Sequence, residues 1–303
     1  MSFSFYVPSP TLPRLGEVLE ALPFADVRCC EEARSEEEEL FDRAAHWPDR
    51  HLHFYRDGLS TCAVEVYWED GAFQVRVMAF AAPEEYELAL EFAEFFARRS
   101  GTTVRPEDGD AMTVEELRRK YDPDWIAGQV ASLFSMLPTI VRDSEGSCQV
   151  PGPVRLFHVG RRLLGELEAA GPPEELRERL LAKMREVQYV DPEEYFCASA
   201  MEVRPQGSDK TFSVAAFGPE VRYLFPSVDY LAVIESGKGV FFIPYEALPE
   251  VAPGRWSWLD EHQTLVEPFE PDEWPALLER ARRHEVEPEP KRAPRGRYPE
   301  DDE

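Results

Sequence analysis

Two runs of alternating apolar residues, 61–68 and 73–80, flank Glu69-Asp70-Gly71, and a pattern of a different period begins directly after them. Alternation puts Val64, Val66 and Trp68 on one side of an extended chain, and Asp-Gly supplies the turn that closes a hairpin. Beyond Pro83, the residues Tyr86, Leu90, Phe92, Ala93 and Phe96 recur at helical spacing. They predict a helix of about four turns, capped at its end by Ser100-Gly101. A strand at 102–105 then returns to the sheet. Hairpin, helix and strand in this order imply the α+β class, with mostly antiparallel sheets and helices packed on one face.

Other segments extend the pattern. Residues 3–7 and 52–55 read as strands, and Leu12, Leu15, Leu19 and Leu22 form one helical stripe. Thr113-x-x-Glu116 is a capping box, and Pro123 opens a helix through Ile126, Val130, Leu133 and Phe134 that Pro138 is expected to end. Residues 142–153, with Asp, Ser, Gly and two prolines, read as a linker. The expected division is an N-terminal α+β domain at 1–150, a C-terminal α+β domain at 151–285 and a disordered charged tail at 286–303. In the second domain, helix is expected at 161–187 and 271–283, and strands at 196–203, 211–217, 230–234 and 240–243. Residues 78–84 echo residues 214–220, which raises the option of two related units.

Charge constrains function most. The 303 residues include 59 acidic and 33 basic side chains, a formal net charge of −26. Such a field repels nucleic acid and anionic membranes and draws in a basic protein. The runs Glu31, Glu32, Glu36, Glu37, Glu38 and Glu39, with Glu84, Glu85 and Glu87, are the expected partner-binding surface. No apolar run approaches the roughly 20 residues of a membrane span, and no secretory leader is legible, so a cytoplasmic location is expected. The odd cysteine count, five, suits reduced core thiols better than a disulfide framework.

Chemistry-bearing clusters are sparse. His51 and His53 would share a strand face and could hold a metal with a carboxylate, but no third ligand is marked by spacing, and His46 adds none; solvent-facing histidines are the plainer reading. Ser236-Gly237-Lys238-Gly239 lacks phosphate-loop spacing and lies between two strands, which makes it a hairpin turn. Trp256-x-Trp258-Leu259-Asp260-Glu261-His262 is the densest polar and aromatic cluster. It reads as an architectural corner, with Trp258, Asp260, Glu261 and His262 as the alternative pocket. Neither a metal nor a cofactor is expected.

Leu88-Ala89-Leu90-Glu91-Phe92-Ala93 with Glu107-Asp108-Gly109, and later Ile243-Pro244-Tyr245-Glu246 with Trp258-Leu259-Asp260-Glu261, give a chain that resembles acidic bacterial proteins of the immunity type, encoded beside polymorphic toxins. The resemblance implies neutralisation of a toxin domain by direct binding and transfers no contact residue. Three function classes follow: an immunity-like binder of a basic protein, an enzyme with an unfamiliar site, and a self-assembling structural protein.

Overall fold

Asp70 and Gly71 both adopt positive φ, 50° and 82°. Their turn twists with the strands it joins and fixes the hairpin register, with Glu69 opposite Ala72 and Val64 opposite Val77. The computed structural model describes residues 2–30, 47, 50–144 and 146–290. Within Met1–Tyr189, the first of two units, β1 (Phe3–Pro8), α1 (Leu15–Ala21), β2 (Val27–Cys29), β3 (Leu52–Arg56), β4 (Val64–Glu69) and β5 (Ala72–Val77) precede α2 (Pro83–Ser100) and β6 (Arg105–Pro106). The strands form one six-stranded antiparallel sheet in the order β2-β3-β4-β5-β1-β6.

Period two decides which face of that sheet is buried. Phe54, Val64, Val66, Phe73, Val75 and Val77 have almost no exposure, and α2 crosses them with Phe92 and Phe96. Phe73 and Phe96 stack at 3.8 Å and 5°. Each fully buried side chain of this size stabilises the fold by about 1.5–3 kcal/mol. At the end of α2, Gly101 takes the left-handed conformation and donates to the Ala97 and Arg98 carbonyls.

The capping box opens α3 (Val114–Lys120): Thr113 Oγ1 accepts from Glu116 N at 3.3 Å, and Glu116 Oε2 from Thr113 N at 2.9 Å. Asp122 caps α4 (Pro123–Asp143), which runs through Pro138 instead of ending there. The proline removes one donor to the Phe134 carbonyl. Leu133, Phe134, Leu137 and Val141 nevertheless make one buried stripe, and its burial outweighs the lost bond.

Residues 142–153 are not a linker. They include β7 (Cys148–Pro151), paired with β8 (Leu156–Val159) ahead of α5 (Arg161–Ala169) and α6 (Leu176–Gln188). Gln188 Oε1 accepts from Val154 N and Arg155 N at 3.1 and 2.9 Å, its Nε2 donates to Arg155 O, and Arg161 Nη2 donates to Arg142 O. The Gln188 bonds fasten the turn just beyond the segment to α6, and the Arg161 bond ties the start of the segment to α5. The chain therefore divides between Tyr189 and Val190, not near 150.

The second unit, Val190–Glu303, contains β9 (Phe196–Cys197), β10 (Met201–Val203), β11 (Phe212–Phe217), β12 (Tyr223–Phe225), β13 (Tyr230–Glu235), β14 (Gly239–Pro244), α7 (Leu248–Val251), β15 (Trp256–Trp258), β16 (Thr264–Val266) and α8 (Trp274–Arg282). They make two four-stranded sheets, β10-β11-β13-β14 and β15-β16-β12-β9, each with one parallel pair. Phe217, Phe225, Leu231, Val233, Ile243, Val266 and Leu277 belong to one buried core. This strand order differs from the first unit's, and the echoed segments occupy different settings. Residues 78–84 run into α2, whereas 214–220 run from β11 toward β12.

Of the cysteines, Cys29, Cys30 and Cys62 are buried, Cys148 is half-buried and Cys197 is exposed, so the expected core placement fails for the last. None of the five is in a disulfide. No helix among the described residues is long and apolar enough to cross a membrane.

The expected tail begins too early. Val286 pairs with Phe242, its N–H donating to the Phe242 carbonyl at 2.9 Å, and Glu289 N donates to the Tyr230 hydroxyl at 3.2 Å. Val286→Pro, which deletes that donor, should lower stability by about 1 kcal/mol, while Val286→Ala costs less. Equal denaturation midpoints for the proline variant and the wild type would show that the bridge contributes nothing.

Candidate functional site

In the second unit, the hairpin of β15 and β16 forms one wall of a cleft. Trp256 and Trp258, two residues apart, face the same side of β15, and their rings meet edge to face at 5.2 Å and 88°. Both are half-buried. Tyr245 and Thr264 line the floor, with the Tyr245 hydroxyl 2.7 Å from Thr264 Oγ1. Burial pushes that phenol well above its ordinary range, so the ring stays neutral. Asp229 and Glu246 add carboxylates, and His262 adds an imidazole, to a cavity of about 360 Å³.

Asp229 is held in place: its Oδ2 accepts from Ser213 N at 2.8 Å and from Ser213 Oγ at 2.9 Å, and its own N–H donates to Ser213 Oγ at 3.0 Å. Asp260 plays a different part. It is fully buried behind the hairpin, where Oδ1 accepts the N–H groups of His262 and Gln263 at 2.8 and 2.7 Å and Oδ2 accepts Gln263 Nε2 at 2.5 Å. Its carboxylate pins the turn that presents His262.

The corner and the alternative pocket are thus both present in part. Trp258 and His262 line the cleft, but Asp260 and Glu261 do not. Neighbouring residues diverge, and the acid and imidazole expected side by side are separated by the turn. Sequence reasoning missed Asp229, Tyr245 and Glu246 as partners of the tryptophans. Nothing local along the chain ties Pro244-Tyr245-Glu246 to the corner.

The expected acidic surface changes character. Glu31, Glu32, Glu36, Glu37, Glu38 and Glu39 lie outside the described residues. Glu84 pairs with Arg185 at 2.9 Å, and Glu87 approaches Arg56 at 3.8 Å. Glu85 has no exposure at all, so it belongs to the interior of the first unit and not to a docking surface. One oxygen, Oε1, accepts from Thr61 N at 2.5 Å, Cys62 N at 2.7 Å and Thr61 Oγ1 at 3.1 Å, while the buried Oε2 has no hydrogen-bond partner among the described residues. Burial outweighs these donors and raises the carboxyl to about 7. Burial and the Glu85 charge likewise push the Cys62 thiol up.

His51 and His53 do meet a carboxylate. Glu65 Oε1 lies 2.8 Å from His51 Nδ1 and 3.7 Å from His53 Nε2, while Arg76 reaches Oε2 at 3.3 Å. The two imidazoles, His53 first, hold the Glu65 carboxyl down to about 2. With a guanidinium on its other oxygen, Glu65 is the centre of an ion-pair cluster. No group of three or more metal-ligating side chains occurs among the described residues.

A family model described as a domain of unknown function, DUF4299, matches residues 2–236. The chain belongs to this family. No curated protein and no solved structure matches it. The DUF4299 match covers the first unit and continues to the end of β13, so it includes Asp229 but stops before Tyr245 and the two cleft tryptophans.

Two outcomes are expected for this DUF4299 protein. Below about pH 4.5, the ordinary value, Glu85 is protonated whether the chain is folded or not. As pH rises to 7, the unfolded chain releases this proton while the folded one keeps it, and the native state loses about 3 kcal/mol. Unfolding titrations should therefore show a stability slope between pH 4.5 and 7 that Glu85→Gln flattens; identical slopes in the two proteins would refute the assignment. Asp260→Ala leaves the Gln263 donors unpaired and should cost about 2–3 kcal/mol, whereas His262→Ala should cost under about 1 kcal/mol.

Proposed function

We propose that this DUF4299 protein is an acidic, cytoplasmic protein-binding protein of the immunity type, which neutralises a basic protein effector by direct contact. The reading is carried by how its charge is distributed. Arginines are extensively used inside the chain: Arg118 bridges Glu91 and Glu94, Arg185 holds Glu84, Arg222 joins Glu194 to Glu267, and Arg282 joins Glu235 to Glu285. Three of these arginines each face two carboxylates, so their clusters stay net negative, and the surplus of acidic over basic side chains sets the outward field.

A field of that sign accelerates encounter with a cationic surface and discriminates against anionic ones. Packed contacts would then hold the complex. The imidazole of His262 in a cleft with two carboxylates favours an enzyme as second reading, and turnover abolished by His262→Ala would establish it.

The test is capture of the partner from the native host, followed by stopped-flow mixing at several salt concentrations. The Debye length contracts from about 30 Å at 0.01 M salt to about 8 Å at physiological ionic strength. The on-rate for a basic partner should fall by about tenfold or more over that range, with a smaller change in the off-rate. A neutral or acidic partner, or an on-rate indifferent to salt, would refute the electrostatic reading.

A further inference from the structure

We infer that the cleft of the second unit is a subsite for a guanidinium group, the side chain of an arginine on the partner; the inference rests on the reading of this protein as a binder of a basic protein. Its walls are the half-buried rings of Trp256 and Trp258, fixed against each other at 5.2 Å. The ring of Tyr245 is fixed too, because its hydroxyl is engaged with Thr264. Indole is the strongest of the aromatic faces for a cation. No lysine or arginine among the described residues lines the cleft, and its two carboxylates are Asp229, oriented by Ser213, and Glu246, which is exposed and has no ion-pair partner among the described residues.

The same unit already uses this arrangement internally. Arg282 lies 3.9 Å over the Phe241 ring while pairing with Glu235, Arg222 lies 5.5 Å over Tyr195 while pairing with Glu267, and Arg255 lies 5.7 Å over Phe269 while pairing with Glu273. The cleft offers ring and carboxylate together, and no arginine among the described residues fills them. A guanidinium is flat and weakly hydrated, so it can stack on an indole and donate in its plane to a carboxylate at once. An ammonium has no plane to stack and holds its water more tightly. A cavity of about 360 Å³ is ample for one such side chain.

Indole N–H resonances of the full chain, followed by NMR, test the subsite. N-acetylarginine amide should shift the Trp256 and Trp258 signals saturably, N-acetyllysine amide should bind several-fold more weakly, and methyl glucoside should leave both signals in place. Glu246→Gln should weaken the arginine probe about five-fold without moving the unfolding midpoint, and Trp258→Phe should keep part of the binding. No saturable shift with the arginine probe, or an equal response to lysine or the sugar, overturns the inference. The captured partner separates this inference from the wider reading. A basic partner whose affinity ignores Glu246→Gln overturns the subsite alone. A cleft that takes the arginine probe in a protein whose partner is neutral supports the subsite and overturns the wider reading.

Discussion

The first unit depends on a carboxyl group that water does not reach. Glu85 stands in the first turn of α2, where the chain leaves the hairpin of β4 and β5, and its Oε1 gathers Thr61 N, Thr61 Oγ1 and Cys62 N from the loop before β4. Thr61 Oγ1 in turn accepts Ala82 N at 3.0 Å, so helix start and strand start share one network. Such bonds are strong in a low dielectric, and a missing partner there is costly. Around it, Arg185 donates to Leu59 O at 2.6 Å and binds Glu84, and the Tyr189 hydroxyl lies 3.0 Å from the carbonyls of Arg56 and Ser60. The far end of the first unit thereby fastens the same loop.

Arginine recurs as the internal fastener in both units, and this bears on function. A guanidinium can satisfy two acceptors in one plane and lie on a ring at the same time. Arg222 and Arg282 each join two carboxylates from separate parts of the chain, and Arg118 ties α3 to two carboxylates of α2. Positive charge is thus spent on cohesion, and the excess of acid is left for the surroundings. The cleft of the second unit has the opposite composition, with carboxylates and indoles but no guanidinium among the described residues that line it.

Much of the fold was legible because it is locally encoded. Asp70-Gly71 names its own turn, Thr113 and Glu116 their own cap, and the stripe from Tyr86 to Phe96 its own helix, since each signal lies within a few residues of the atoms it arranges. Signals failed where a distant contact overruled a local one. Pro138 reads as a helix end and residues 142–153 as a linker, yet a buried stripe carries α4 past the first, and pairing with β8 makes a strand within the second. β12 was invisible because its three residues, Tyr223, Leu224 and Phe225, are all apolar and show no alternation; it exists as a strand only through pairing with β16 and β9.

The sequence by itself determined the α+β class with mostly antiparallel sheets, the hairpin around Asp70-Gly71 and the acidic balance, because periodicity, turn chemistry and charge are properties of neighbouring residues or of simple sums. Tertiary structure decided which acids matter and where. Glu85 and Glu84 are one residue apart, but only the fold puts the first in the interior and the second on Arg185. Asp260 and His262 look like a chemical pair, yet the turn they build sends one inward and the other to the cleft. Asp229, Glu246 and the two tryptophans come from separate segments, and no spacing along the chain foretells such a meeting. It is set by how two small sheets and the loops between them pack, a balance of burial and hydrogen bonding that involves the whole unit at once.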